Sequence, residues 1–183
     1  MYTIAALYHF TRLADPASLK PALQALCDAQ DVKGTLLLAG EGINGTIAGS
    51  RAGIDAVIAH LRSLPGCATI EWKEAKSATP PFPRMKVRIK REIVTMGQPH
   101  VNPATGTGHY VAPKDWNDLI QREDVAVIDT RNDYEVAIGT FDGAIDPETA
   151  SFGEFPAWWA ANKHRFHNKK IAMFCTGGIR CEK

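Results

Sequence analysis

Two stretches of this chain repeat their apolar residues at i, i+3, i+4 and i+7, and each lies between runs of strand length. Leu19, Ala22, Leu23 and Leu26 form the first set, and Ile54, Val57, Ile58 and Leu61 the second. That spacing puts four side chains on one side of a helix. The flanking runs are Tyr2 to Tyr8, Gly34 to Ala39, Thr46 to Ala48 and Ala68 to Lys73. Taken in order they predict β-α-β-β-α-β, the split β-α-β arrangement of ferredoxin-like folds, with both helices on one face of an antiparallel sheet. The first run is apolar on both sides and is expected to be central.

Local punctuation refines these limits. Ser50 is expected to cap the second helix, and Pro65-Gly66 to end it. At the first helix Pro21 separates two starts: from Ser18 it falls in the first turn at no cost, whereas from Asp15 it removes an internal hydrogen bond. The start near Ser18 is favoured, with Cys27 packing beside the apolar face. Asn44-Gly45 between apolar runs predicts a tight hairpin turn. Gly40, Gly42 and Gly45 spell G-x-G-x-x-G, but a dinucleotide fingerprint needs a helix directly after the glycines. Here a strand is expected to follow instead.

Ala75 to Pro83 reads as an extended, proline-rich connector. It leads into Arg84-Met85-Lys86-Val87-Arg88-Ile89-Lys90, where basic and apolar residues alternate. Period two puts Arg84, Lys86, Arg88 and Lys90 on one face of a strand and Met85, Val87 and Ile89 on the other, and Arg91 adds a further charge. Two readings fit: a positive stripe for phosphates, or a solvated edge strand whose charges prevent aggregation. Residues 97–109, with Pro99 and Pro103, read as a linker, so the domains are expected at 1–96 and 110–183. His100 and His109 are expected to be solvated loop histidines, and no metal site is expected.

In the second domain Asp115 to Gln121 predicts a short helix and Val125 to Ile128 a buried strand that ends in Asp129-Thr130-Arg131. Ile171 to Phe174 predicts another strand, with Cys175 at its carboxyl end, where α/β sheets bind ligands. Gly177 and Gly178 let several N–H groups turn towards one anion, and Arg180 adds a permanent positive charge that favours a thiolate. Cys175 is therefore a candidate nucleophile with Thr176, Gly177, Gly178 and Ile179 as its cradle; the alternative is an inert buried cysteine. Asp129 is expected to organise this loop or to cap a helix, and Glu135 to pair with Arg131 on a helix. Cys181 is expected to be secondary to Cys175, as packing or as a resolving thiol. Phe152, Phe155, Trp158, Trp159 and Phe166 are expected to be mostly core, with one of them available to stack on a base.

A cysteine, four residues and an arginine, here Cys175 to Arg180, resembles the active-site loop of the rhodanese family. Asp129-Thr130-Arg131, Glu135, Gly139 and Gly143-Ala144-Ile145 resemble the rhodanese segment that precedes that loop. The longer string Cys175 to Lys183, and Lys33-Gly34-Thr35 through Glu41-Gly42-Ile43-Asn44-Gly45-Thr46, resemble the rhodanese-domain tRNA uridine 5-hydroxylases. This resemblance implies a mixed α/β and α+β chain: a ferredoxin-like (acylphosphatase-like) N-terminal domain followed by a partial rhodanese-like parallel α/β domain. It implies oxygen-dependent hydroxylation of the wobble uridine of tRNA, with Cys175 and Arg180 at the site and Asp129, Arg131 and Cys181 in support. Molecular oxygen and an unidentified electron donor are the implied co-reactants, and tRNA is the implied partner of the basic strand. No flavin or nicotinamide motif and no iron triad is evident. Sulfur transfer through a Cys175 persulfide and a noncatalytic RNA-binding module are the competing readings. The resemblance stops inside the rhodanese domain, with only Cys181, Glu182 and Lys183 after Arg180. The second domain is therefore expected to lack a closing helix, to leave the Cys175 loop disordered or held by another copy, and to be weak or silent in catalysis.

A net charge of +1 provides no global field for nucleic acid, so an RNA site has to be a local patch. Cys27, Cys67, Cys175 and Cys181 have neither zinc spacing nor the density of a disulfide scaffold, which points to a reducing compartment. Met1 to Phe10 lacks a basic start and a long apolar core, and no apolar run reaches the ~18 residues of a membrane span. A cytoplasmic location without membrane association is expected.

Overall fold

Strand β1 (Tyr2–Phe10) alternates buried and exposed side chains and pairs antiparallel on both sides. Its neighbours are β3 (Gly42–Gly49) and β4 (Glu71–Ser77), and β2 (Lys33–Ala39) lies beyond β3. The computed structural model describes residues 1–183, which divide into the units Met1–Ile93 and Val94–Lys183. Helices α1 (Pro16–Ala29) and α2 (Arg51–Ser63) bury Leu23, Cys27, Ile54, Val57, Ile58 and Leu61 against Ala5, Leu7, Leu36, Leu38, Ile43 and Ile47. This is the ferredoxin-like arrangement, with one apolar face shared between the sheet and both helices. No helix is long and apolar enough to cross a membrane.

Four expectations are corrected in this unit. Helix α1 starts at Asp15 rather than Ser18, because the Asp15 carboxylate accepts from the N–H groups of both Ala17 and Ser18 and Pro16 occupies the first turn. Pro21 then sits inside the helix, but on its exposed side, where a carbonyl that loses its donor is open to solvent. Ala22 is exposed too, and Cys27 takes its place on the buried face. Asn44 and Gly45 are not a turn: they lie inside β3, and the hairpin turns at Gly40-Glu41. A Cβ on Gly45 would come within 2.1 Å of the Thr35 carbonyl oxygen, so this glycine serves close backbone approach. Strand β4 runs three residues later than expected at its start, from Glu71.

The basic segment forms β5 (Met85–Ile89), which joins the sheet at its edge, parallel to β2. Val87 is buried in the core and Met85 packs against it. Lys86 and Arg88 stand opposite Thr35 and Leu37 on the face away from the helices. The Val87 N–H donates to the Gln24 side chain on α1, which blunts the open edge.

The second unit holds a parallel pair, β6 (Val125–Asp129) and β7 (Lys170–Phe174), in register from Val125 opposite Lys170 to Asp129 opposite Phe174. Ala126 and Ile128 pack with Phe152, Phe155 and Phe166, whereas Val125 and Val127 pack with Ala172, Trp116 and Phe174. Strand β6 is thus buried on both faces, as a parallel strand between layers must be. The remaining helices are α3 (Pro113–Ile120), α4 (Asp133–Val136), α5 (Phe155–Asn162) and the single turn α6 (Ile179–Glu182). Val94 and Met96 pack against the Phe152 cluster, so the division falls after Ile93 rather than after residue 96. Residues 97–109 count with the second unit and bury Pro103 in a short 3-10 turn.

Candidate active site

The register of β6 and β7 brings Asp129 and Phe174 side by side at the carboxyl ends of the two strands, so Cys175 leaves the sheet where backbone donors converge. Thr130 secures this exit: its N–H and its hydroxyl both donate to the Phe174 carbonyl, at 3.1 and 2.9 Å. Gly178 then adopts φ 97°, a left-handed conformation that costs glycine little. The chain curls back, and the Gly178 N–H donates to the Cys175 Sγ at 3.0 Å.

A hydrogen bond from the Cys181 thiol is the foremost cause that holds the Cys175 pKa well below the ordinary thiol value. Burial opposes it, and the N–H groups of Arg180, Cys181 and Gly178 add to the lowering. Cys181 moves the other way, raised by the bond to Cys175 and by burial. The two thiols are thus pushed in opposite directions, Cys175 towards its thiolate and Cys181 away from it. The Cys181 sulfur also lies 3.5 Å from the Thr130 hydroxyl.

Arg180 does not point its guanidinium at open solvent. It clasps Glu135 through two bonds of 2.7 and 2.9 Å, with the two side chains 13% and 15% exposed. The Glu135 carboxylate also accepts from the Asn132 N–H at 3.1 Å and from the Thr176 hydroxyl. The Arg180 bonds, with help from Thr176 and Asn132, pull the Glu135 pKa down to about 2. Glu135 is thus the partner of Arg180, not of Arg131, which reaches only the Glu135 backbone carbonyl, at 3.3 Å. The expected pairing of neighbours on a helix fails because α4 is a single short turn that aims the carboxylate at the cysteine loop.

Arg131 is bound instead by Asp129, with hydrogen bonds of 3.0 and 2.8 Å. Burial works against the Asp129 charge, but Arg131 and the Thr140 hydroxyl, which donates at 2.8 Å, keep its pKa low. The same guanidinium donates to the Gly139 carbonyl at 2.6 Å. Asp129 therefore neither caps a helix nor bonds the cysteine loop. It fixes the segment Gly139-Thr140-Phe141.

That segment forms one wall of a cavity of about 380 Å³ lined by Arg131, Gly139, Thr140, Phe141, Phe174, Cys175 and Thr176. The aromatic residues of the Phe152 to Phe166 stretch are elsewhere: Phe152, Phe155 and Phe166 are buried in the core with Trp158 and Trp159 against them. Thr140, Phe141 and Phe174 line the site although no sequence pattern singles them out. In sequence Phe174 reads only as the end of a strand, and Phe141 is a lone aromatic between Gly139 and Gly143 with no periodicity to announce it. The loop takes up its conformation directly before the single turn α6, whose cap residue Gly178 provides the N–H bonded to the Cys175 sulfur. No group of three His, Cys, Asp or Glu side chains is arranged to hold a metal ion. Arg84, Lys86, Arg88, Lys90 and Arg91, on the first unit, take part in no ion pair.

Residues 2–93 match the family model of the UPF0176 acylphosphatase-like domain. Over all 183 residues the chain is 76% identical to proteins named tRNA uridine(34) hydroxylase from Roseobacter denitrificans and Ruegeria pomeroyi. It is 65% identical to the protein of that name from Jannaschia sp.. The chain spans 60 to 62% of the length of these relatives.

Proposed function

The chain belongs to the UPF0176 family, and from that premise we propose that it hydroxylates the wobble uridine of tRNA at C5. The observation that carries this reading is the Cys175 sulfur, which accepts the Gly178 N–H at 3.0 Å and lines a cavity large enough for a base, with its pKa lowered towards the thiolate. Relatives named for this reaction at 76% identity supply the substrate.

A thiolate adds to C6 of uracil. The S–C6 bond forms, and the electron pair of the C5–C6 double bond moves onto C5 and O4 as an enolate. Carbon 5 is then nucleophilic and takes one atom of molecular oxygen. The other atom leaves as water, with two electrons from a separate donor and two protons. Loss of the C5 proton restores the double bond and expels the Cys175 thiolate. Nearby positive charge from Arg180 and the loop N–H groups stabilises the sulfur as it departs. The rhodanese-like loop thus serves as a nucleophile carrier rather than a sulfur carrier.

Strand β5 supplies the polyanion-binding surface in this reading. Arg84, Arg88 and Lys90 are exposed, Lys86 is half-buried, and none of them is ion-paired, so phosphates meet no competing carboxylate there. Mass analysis of tRNA nucleosides tests the reaction, with the chain extended to the length of its relatives. Added oxygen at the wobble position that disappears with Cys175→Ser is the expected result. Full hydroxylation by Cys175→Ser overturns the route. Thiocyanate formed from thiosulfate and cyanide, with unmodified tRNA, replaces hydroxylation by sulfur transfer.

A further inference from the structure

Among the aromatic rings beside Cys175, Phe141 is the exposed one. It is 41% exposed, although it meets Phe174 edge to face at 4.8 Å and Trp116 at 5.5 Å. Phe174 is engaged: the Arg131 guanidinium lies over its ring at 5.5 Å, and Trp116 and Phe141 touch it at 6.1 and 4.8 Å. Leaving a phenylalanine ring in water is unfavourable in proportion to its area. A rigid brace nevertheless holds it there. Thr140 is tied to Asp129, and the Gly139 carbonyl to Arg131, directly before Phe141 in sequence.

We infer that the cavity beside Cys175 takes the target pyrimidine ring itself, stacked on Phe141, with the Asp129–Arg131–Thr140 brace as the positioning device for that surface. The inference rests on the wobble-uridine reading for the identity of the ring. Its physical basis is separate. Every base has a π-face, and an aromatic side chain held rigid gives up little freedom on stacking. Thr140 and Thr176 both donate their hydroxyl protons to carboxylates, and the Thr176 oxygen also accepts from Arg180 at 3.4 Å, so what the cavity offers a base is chiefly the Phe141 face.

The test uses the chain extended to the length of its relatives and an anticodon stem-loop RNA with either uridine or an abasic nucleotide at the wobble position. The wild type should bind the uridine RNA more tightly. Phe141→Leu, which keeps apolar volume and loses the aromatic face, should remove most of that preference and raise KM on the order of tenfold to a hundredfold, with kcat little changed. Phe141→Tyr should retain both. Alkylation of Cys175 by iodoacetamide should proceed at the wild-type rate in both variants, which reports an intact loop. A 5-bromouridine at the wobble position should crosslink on irradiation to the peptide that contains Phe141, and this needs no variant. Unchanged preference and KM in Phe141→Leu, or a crosslink confined to other peptides, overturns the inference. Preference for uridine lost in Phe141→Leu, from a wild type that makes no 5-hydroxyuridine, leaves the base pocket standing and overturns the hydroxylation reading.

Discussion

Cys175 and Cys181 are chemically alike and six positions apart, yet the loop gives them opposite tasks. The Cys181 thiol and the Gly178 N–H at 3.0 Å lower the Cys175 pKa, whereas the bond to Cys175 and burial raise that of Cys181. Because the Cys175 pKa is depressed, its thiolate persists through neutral pH and is lost only as the pH falls through that lowered value. Its alkylation by iodoacetamide should therefore be nearly constant over neutral pH and drop in acid. Cys181→Ala removes the leading donor and should move that drop to higher pH. An unchanged profile assigns the low pKa to the backbone alone. Arg180 is legible in sequence because it lies in the same loop. Glu135, its partner, is not, since 45 positions separate them and only the fold closes that distance.

At the scale of elements, the α4 turn and the cysteine loop are joined by the Arg180–Glu135 clasp. Glu135→Gln leaves a guanidinium that is 13% exposed without its carboxylate, at a cost on the order of 1–3 kcal/mol, read as a lowered denaturation midpoint of the second unit. The pH dependence has a defined sign. Glu135 sits at about 2 against an ordinary 4.5, so the clasp is at full strength above 4.5 and is lost as the pH falls from there through about 2. Strand β5 carries a different expectation. Replacing Arg84, Lys86 and Arg88 together by Gln should weaken tRNA binding and reduce the salt slope by about one for each phosphate that is no longer neutralised. An unchanged slope assigns this face to solvation.

For the molecule as a whole, two separate cores imply two separable stabilities. The first is built on Leu36, Ile43, Ile47 and Ile54, each with no exposed area, and draws on no residue after Val87. Residues 1–93 expressed alone should unfold in one cooperative transition, and Leu36→Ala should lower its stability by about 2–5 kcal/mol. In the whole chain the same substitution should leave Cys175 alkylation untouched. Residues near in sequence decided much by themselves: helical periodicity marked α1 and α2, alternation put Val87 inward and Lys86 outward, and the glycine pair after Cys175 marked a turn in which the Gly178 N–H comes back onto the sulfur. Such features are legible because they depend on repeats of a few residues and on the conformational range of one amino acid. The Asn44-Gly45 stretch misled, as its glycine answers to the Thr35 carbonyl of a neighbouring strand rather than to a turn. Pairing across the parallel strands, Glu135 with Arg180, and the aromatic wall at Phe141 were left to the tertiary structure, because charges and rings find partners by distance in space and sequence records only distance along the chain.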